Sequence, residues 1–155
     1  MLAPITLINN WKNEAEIWAP NLKIDVISAE TLKDTTRLVR AFETNNMVMC
    51  PYSLSTSLKN KLSESNIKID LLICDEAHKL RKKNSQVNST VRQLNASSRW
   101  LITGTPMERD EDDIISILKI LSPEKTFGKG ASSVWRAKHT RLGTQDPPHL
   151  ISTEK

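Results

Sequence analysis

Ile69–Cys74, "IDLLIC", narrows the fold more than any other stretch of this chain. It is short, apolar at successive positions and bounded by polar residues. A strand with one wet face alternates apolar with polar side chains, whereas a strand apolar on both sides has to be covered on both faces. A parallel sheet with helices packed above and below it meets that need.

The remaining segments alternate in the way such a sheet requires. Residues 6–18 carry Leu7, Ile8, Trp11, Ala15 and Trp18 at helical spacing, with Thr6 as N-cap and Pro20 as the stop. Trp11 and Trp18 are then expected to pack inward. "KIDVIS" (23–28) reads as a strand, and 29–42 as one helix with Leu32, Leu38, Val39 and Phe42 facing inward. "MVMC" (47–50) reads as a short buried strand closed by Pro51, and 53–62 as a helix. A helix over 85–94 is followed by the strand "RWLIT" (99–103), stopped by Gly104 and Pro106. Residues 110–121 form a last helix, whose acidic first turn suits the positive end of the helix dipole. Strand and helix in alternation predict an α/β fold with a parallel sheet and helices on both faces. Beyond Pro123 the composition turns to Gly, Ser and Lys, so 124–155 is expected to be a loop and an extended tail outside the folded lobe, 1–123.

Composition excludes several classes. A length of 155 residues fits one domain, and 38% hydrophobic with 26% charged residues is ordinary for a globular chain. No apolar run approaches the roughly 20 residues that span a bilayer. The first residues, "MLAPITLINN", lack the basic start and apolar core of a signal peptide. An intracellular protein is expected, nuclear if eukaryotic and otherwise cytoplasmic, with no membrane partner. Cys50 and Cys74 each end an apolar run and read as buried thiols, and no Cys/His cluster has zinc spacing. The net charge of +4 is compatible with nucleic-acid contact and does not require it.

Chemistry gathers where "IDLLIC" ends. Ligands of open parallel sheets bind beyond the carboxyl ends of the strands, which is where Asp75 and Glu76 stand. Asp75 is placed to hold a magnesium ion, through water, while the ion grips phosphate oxygens. Glu76 can orient and activate a water for attack on a γ-phosphate. His78 supplies a polar, tunable group that can sense the phosphate and signal to a neighbouring loop. "SRWLITGTPMER" (98–109) carries a second strand that ends in Thr103, Gly104 and Thr105. Hydroxyls and a glycine there permit close backbone approach and hydrogen bonds to an adjacent acidic site.

With these residues in view, the chain resembles the SWI/SNF-type ATPases, helicase-like DNA translocases of superfamily two. "LAPITLINNWKNEAEIWAPNLKI" is similar to the family's motif Ia region, and "MVMCPYSL" to the strand that follows it. "IDLLICDEAHKLRKKNS" resembles motif II, and "SSRWLITGTPMERDEDDIISILKILSP" resembles motif III with the helix behind it. "VWRAKHTRLGTQDPPHL" resembles the segment leading toward a second lobe. The resemblance implies a RecA-like lobe of the P-loop NTPase type, with ATP and Mg2+ as cofactors. It also implies double-stranded DNA, with nucleosomes in some members, and a second RecA-like lobe as partners. By the same resemblance Asp75 helps hold magnesium, Glu76 polarises the attacking water, and His78 couples to Thr103, Gly104 and Thr105. Thr6 and Tyr52 then lie along the DNA path, contacting phosphates. Cys50 and Pro51 stand where the family has a hydroxyl pair, and Glu108 and Arg109 where it has Gln-Asn.

One part is missing. A phosphate-binding loop needs G-x-x-x-x-G-K-[ST] between a strand and a helix. The chain's four glycines provide no such pattern. "FGKGASS" (127–133) has alanine after Gly130 where the lysine should stand, and reads as a loop. The expectation is an incomplete lobe, with the phosphate loop upstream of Met1 and an open sheet edge beside the motif III strand. Two functional readings follow. In one, the chain is part of an ATPase lobe and is inactive alone. In the other, it is a non-catalytic DNA- or protein-binding module, using the basic run Lys79, Arg81, Lys82 and Lys83, which is otherwise a solvated loop.

Overall fold

A computed structural model of the chain describes residues 1–82, 85–105 and 111–123. Its strands are β1 (Leu2–Ala3), β2 (Ile24–Val26), β3 (Met47–Pro51), β4 (Ile69–Cys74) and β5 (Ala96–Leu101). The helices are α1 (Ile5–Trp18), α2 (Ala29–Lys33), α3 (Thr35–Thr44), α4 (Ser55–Glu64), α5 (Gln86–Gln93) and α6 (Glu111–Leu121). The strands form one five-stranded sheet in the order β2-β3-β1-β4-β5, and all the pairs are parallel. The parallel sheet with helices on both faces is therefore present, and "IDLLIC" is an inner strand of it.

Residue parity along the strands divides the core in two. Leu2, Cys50, Leu72 and Cys74 point to one face and pack with Leu32, Leu38, Leu58, Leu62, Val91 and Ile120 from α2 to α6. Ala3 and Met49, one residue out of phase, point to the other face and pack with Ile8 and Trp11 of α1. Each buried Leu or Ile of this kind contributes about 1.5–3 kcal/mol by leaving water.

Several boundaries differ from the sequence expectations, for local reasons. The expected single helix 29–42 is two helices. Asp34 adopts an extended conformation and its carboxylate accepts from the Arg37 N–H at 3.1 Å, capping α3, while Ser28 caps α2 in the same way. An aspartate N-cap stabilises a helix start by about 1 kcal/mol. Helix α1 starts at Ile5 after Pro4, so Thr6 lies inside its first turn and is not the N-cap. Pro51 is the last residue of β3, and a 3-10 turn over Tyr52–Leu54 precedes α4. β5 begins at Ala96 and ends at Leu101, earlier than expected. The two tryptophans of α1 part company. Trp11 faces the sheet, but Trp18 is 80% exposed and its indole donates to Glu14 at 2.9 Å. Residues 124–155, with "FGKGASS" and the tail segment, lie outside the described residues, as do Lys83, Glu108 and Arg109.

Helix α1 does not cover the whole of its face. On β4 and β5 the same face carries Leu71, Ile73, Trp100 and, just past β5, Ile102, with Ile73 opposite Trp100. Trp100 is 60% exposed, and among the described residues β5 has no strand on its outer side.

Candidate active site

Parallel strands point their carboxyl ends the same way, so β1, β4 and β5 deliver Pro4, Asp75 and Ile102 to one rim of the sheet. The Asp75 N–H donates to the Leu2 carbonyl at 2.9 Å, which fixes the height of the acidic turn against β1. On the other side the Ile102 N–H donates to the Cys74 carbonyl, and the Ala77 N–H donates to the Ile102 carbonyl, both at 2.9 Å. The acidic motif and the strand leading to Thr103, Gly104 and Thr105 are therefore joined through main-chain hydrogen bonds.

The turn itself is tightly made. Glu76 sits in the left-handed region at φ 50°, and a 3-10 helix, Ala77–Leu80, follows. A non-glycine residue held there costs about 1–3 kcal/mol, which the surrounding bonds have to sustain. The strain turns the chain sharply after Asp75. Nδ1 of His78 then lies 2.9 Å from Oε2 of Glu76, an ion pair whenever the imidazole is protonated. Asn88 of α5, fully buried, donates its amide to the Leu80 carbonyl at 2.6 Å and holds the end of the turn. Arg81 donates to the His78 carbonyl at 2.8 Å and reaches Asp113 of α6 at 3.8 Å, binding the turn to the last helix.

Asp75 is 8% exposed, and each of its carboxylate oxygens already has a donor. Trp11 Nε1 donates to Oδ2 at 2.8 Å, and the Glu76 N–H donates to Oδ1 at 2.9 Å. Both donors are neutral groups, so neither brings a charge beside the carboxylate. Tyr52 is buried, and its hydroxyl donates to the Asp75 carbonyl at 2.7 Å. Burial pushes the phenol's pKa upward and keeps it in the donor form. Thr6, in contrast, is exposed on α1. Thr103 accepts from the Thr105 N–H at 3.2 Å, and the space beside Gly104 is open, with no described atom within 4 Å of where a Cβ would stand.

The structure thus brings Asp75, Glu76, His78 and the strand before Thr103 to one rim. It turns the Tyr52 hydroxyl inward, away from the surface. Sequence reading missed Trp11 and Asn88 as parts of this site. Trp11 lies 64 residues from Asp75 and carried only a packing signal, and Asn88 sits in a helix as an unremarked polar residue.

No three His, Cys, Asp or Glu side chains among the described residues form a cluster able to hold a metal. The donor set still fits magnesium, which binds through one or two carboxylates together with water and phosphate oxygens. Asp75 would be the protein's part of that coordination.

A model of the SNF2-related domain matches residues 1–151. The chain belongs to the SNF2-related domain family. Among relatives, the DNA repair and recombination protein RDH54 of Saccharomyces cerevisiae is 30% identical over 130 residues, which cover 79% of this chain and 14% of that protein. RAD54B of Homo sapiens is 26% identical over 123 residues, 79% of this chain and 13% of that protein. The human SWI/SNF-related matrix-associated actin-dependent regulator of chromatin subfamily A member 1 is 27% identical over 150 residues, 94% of this chain and 14% of that protein. The chain thus spans only about one seventh of these relatives' length, 14% or 13%. The fold matches the Sulfolobus solfataricus SWI2/SNF2 ATPase core in complex with dsDNA, at a TM-score of 0.68 and 21% identity, over 92% of this chain and 28% of that one. The family and the RecA-like sheet expected from the sequence both stand.

Proposed function

We propose that this chain is part of the ATP-binding lobe of a DNA-dependent ATPase and translocase, of the chromatin-remodelling or DNA-repair kind. The observation that carries the proposal is the Asp75–Glu76 turn at the carboxyl end of β4, tied by main-chain bonds to the strand that leads into Thr103, Gly104 and Thr105. ATP and Mg2+ are the cofactors. Asp75 holds the metal through water, and Glu76 orients the attacking water. His78, paired with Glu76, relays the state of the site to Thr103, Gly104 and Thr105. Double-stranded DNA, in some settings within nucleosomes, runs past Thr6 on the exposed first turn of α1. Tyr52 contributes to that path through the turn it anchors, since its hydroxyl is already donated to Asp75.

No stretch of this chain has the pattern that cradles phosphates, so the phosphate loop and the arginine-bearing second lobe are supplied by other sequence. Alone, the chain is inactive. It acts in the nucleus of a eukaryote, or in the cytoplasm otherwise. Reading the coding sequence upstream of Met1 tests the enzymatic proposal. An in-frame G-x-G-K-T-like segment there, or in a partner chain, is the expected result, and absence from both would end the idea of a working enzyme.

A second reading, a non-catalytic module that binds DNA or protein, draws on Lys79 and Lys82, both exposed beside the acidic turn. Duplex DNA binding measured against salt separates the readings. Steep weakening with salt supports phosphate contacts by this face, and a flat, weak profile removes the module reading for DNA.

A further inference from the structure

We infer that Trp11 is a positioning residue for the Asp75 carboxylate, fixing which lone pairs that group presents to a cation; the inference rests on the reading of Asp75 as the magnesium-holding group. A carboxylate on a short side chain turns freely about its last bond unless both oxygens are engaged. Its two oxygens offer about four acceptor positions. Here one on Oδ2 takes the Trp11 indole N–H at 2.8 Å, and one on Oδ1 takes the Glu76 N–H at 2.9 Å. Rotation is blocked at both ends, and each oxygen keeps a free lone pair. The Tyr52 hydroxyl, donating to the Asp75 carbonyl at 2.7 Å, fixes the main chain beneath.

The choice of donor matters chemically. An indole N–H donates only and carries no charge. It cannot become a ligand, take a proton from the carboxylate, or compete with a cation as an arginine or lysine would. The indole is itself held, because its ring packs at the interface of α1 with the sheet, in the cluster of Ala3, Ile8 and Met49. Trp18, on the same helix, shows the contrast. It is exposed, and its indole bonds one turn back to Glu14. A tryptophan needed only to finish a helix surface would resemble Trp18. Trp11 spans from a helix on one face of the sheet to the rim where the acidic turn begins.

The test uses the whole chain, labelled with 15N, and manganese ion alone as the probe. Trp11→Phe assigns the Trp11 indole signal, and Trp18→Phe, Trp100→Phe and Trp135→Phe assign it independently by elimination. Asp75→Asn should move that signal and leave the Trp18 and Trp100 signals in place. Manganese should broaden the Trp11 indole first among these three, and Asp75→Asn should abolish the preference. Trp11→Phe should weaken manganese binding, read from the free ion by electron spin resonance, by about tenfold, the size seen when partners of metal ligands are lost. An indole signal that ignores Asp75→Asn would overturn the inference, even if Trp11→Phe failed to fold. Equal manganese affinity in wild type and a folded Trp11→Phe would also overturn it, with the metal reading of Asp75 intact. Failure of manganese to bind the wild-type chain, with the indole still responding to Asp75→Asn, would instead overturn the reading of Asp75 and the inference with it.

Discussion

Asn88 shows how much one side chain can carry. Its amide is buried and donates to the Leu80 carbonyl, at the end of the turn that Glu76 opens in a left-handed conformation. Asn88→Ala leaves that carbonyl without its donor. Thermal unfolding should then show a loss of about 1–3 kcal/mol, against under 0.5 kcal/mol for an exposed control such as Gln86→Ala. The two cysteines make a second prediction at this scale. Burial pushes both thiols from 9.0 up to about 12. The folded state therefore favours the neutral thiols. That contribution is intact below pH 9 and is lost as pH rises from 9 toward 12. At pH 8 iodoacetamide should label Cys50 and Cys74 only at the rate of unfolding, and rapid labelling of the folded chain would contradict the burial. Asp75, Glu76 and His78 were legible in the sequence because their spacing after a buried strand is compact and local. Trp11 and Asn88 were not. Their roles are contacts made by the fold, and nothing in the flanking residues distinguishes an indole that packs from one that also donates.

The secondary-structure elements were legible in proportion to how far each makes its own pattern. β4 announces itself because it is apolar on both faces, although Leu71 lies exposed on the face that α1 leaves uncovered. β1 spans two residues, too few for any periodicity. The break at Asp34 was hidden because apolar spacing runs through it, and the capping carboxylate outweighs that continuity. The strand with the most consequence at this scale is β5. Its outer edge is free among the described residues, and Trp100 lies exposed on the adjoining face. Free edges with apolar neighbours template pairing with other chains. Sedimentation should show concentration-dependent association of the purified chain. Trp100→Lys, which adds a charge beside the edge, should reduce it. A chain that stays monomeric at every concentration would show that the edge is covered.

For the whole molecule, the parallel sheet brings the ends of β1, β4 and β5 to one rim. Under the proposed function Asp75 would hold the metal and Glu76 would orient the water, and the backbone ties both to the strand of Thr103. No stretch of the chain has the G-x-x-x-x-G-K-[ST] pattern, so the proposed site would be one half of a hydrolytic centre. ATP turnover by the purified chain, with and without duplex DNA, compared with Glu76→Gln, tests this most directly. Neither protein should turn over ATP above background. Turnover by the wild type that Glu76→Gln abolishes would contradict it, because the chain would then be holding the phosphates itself.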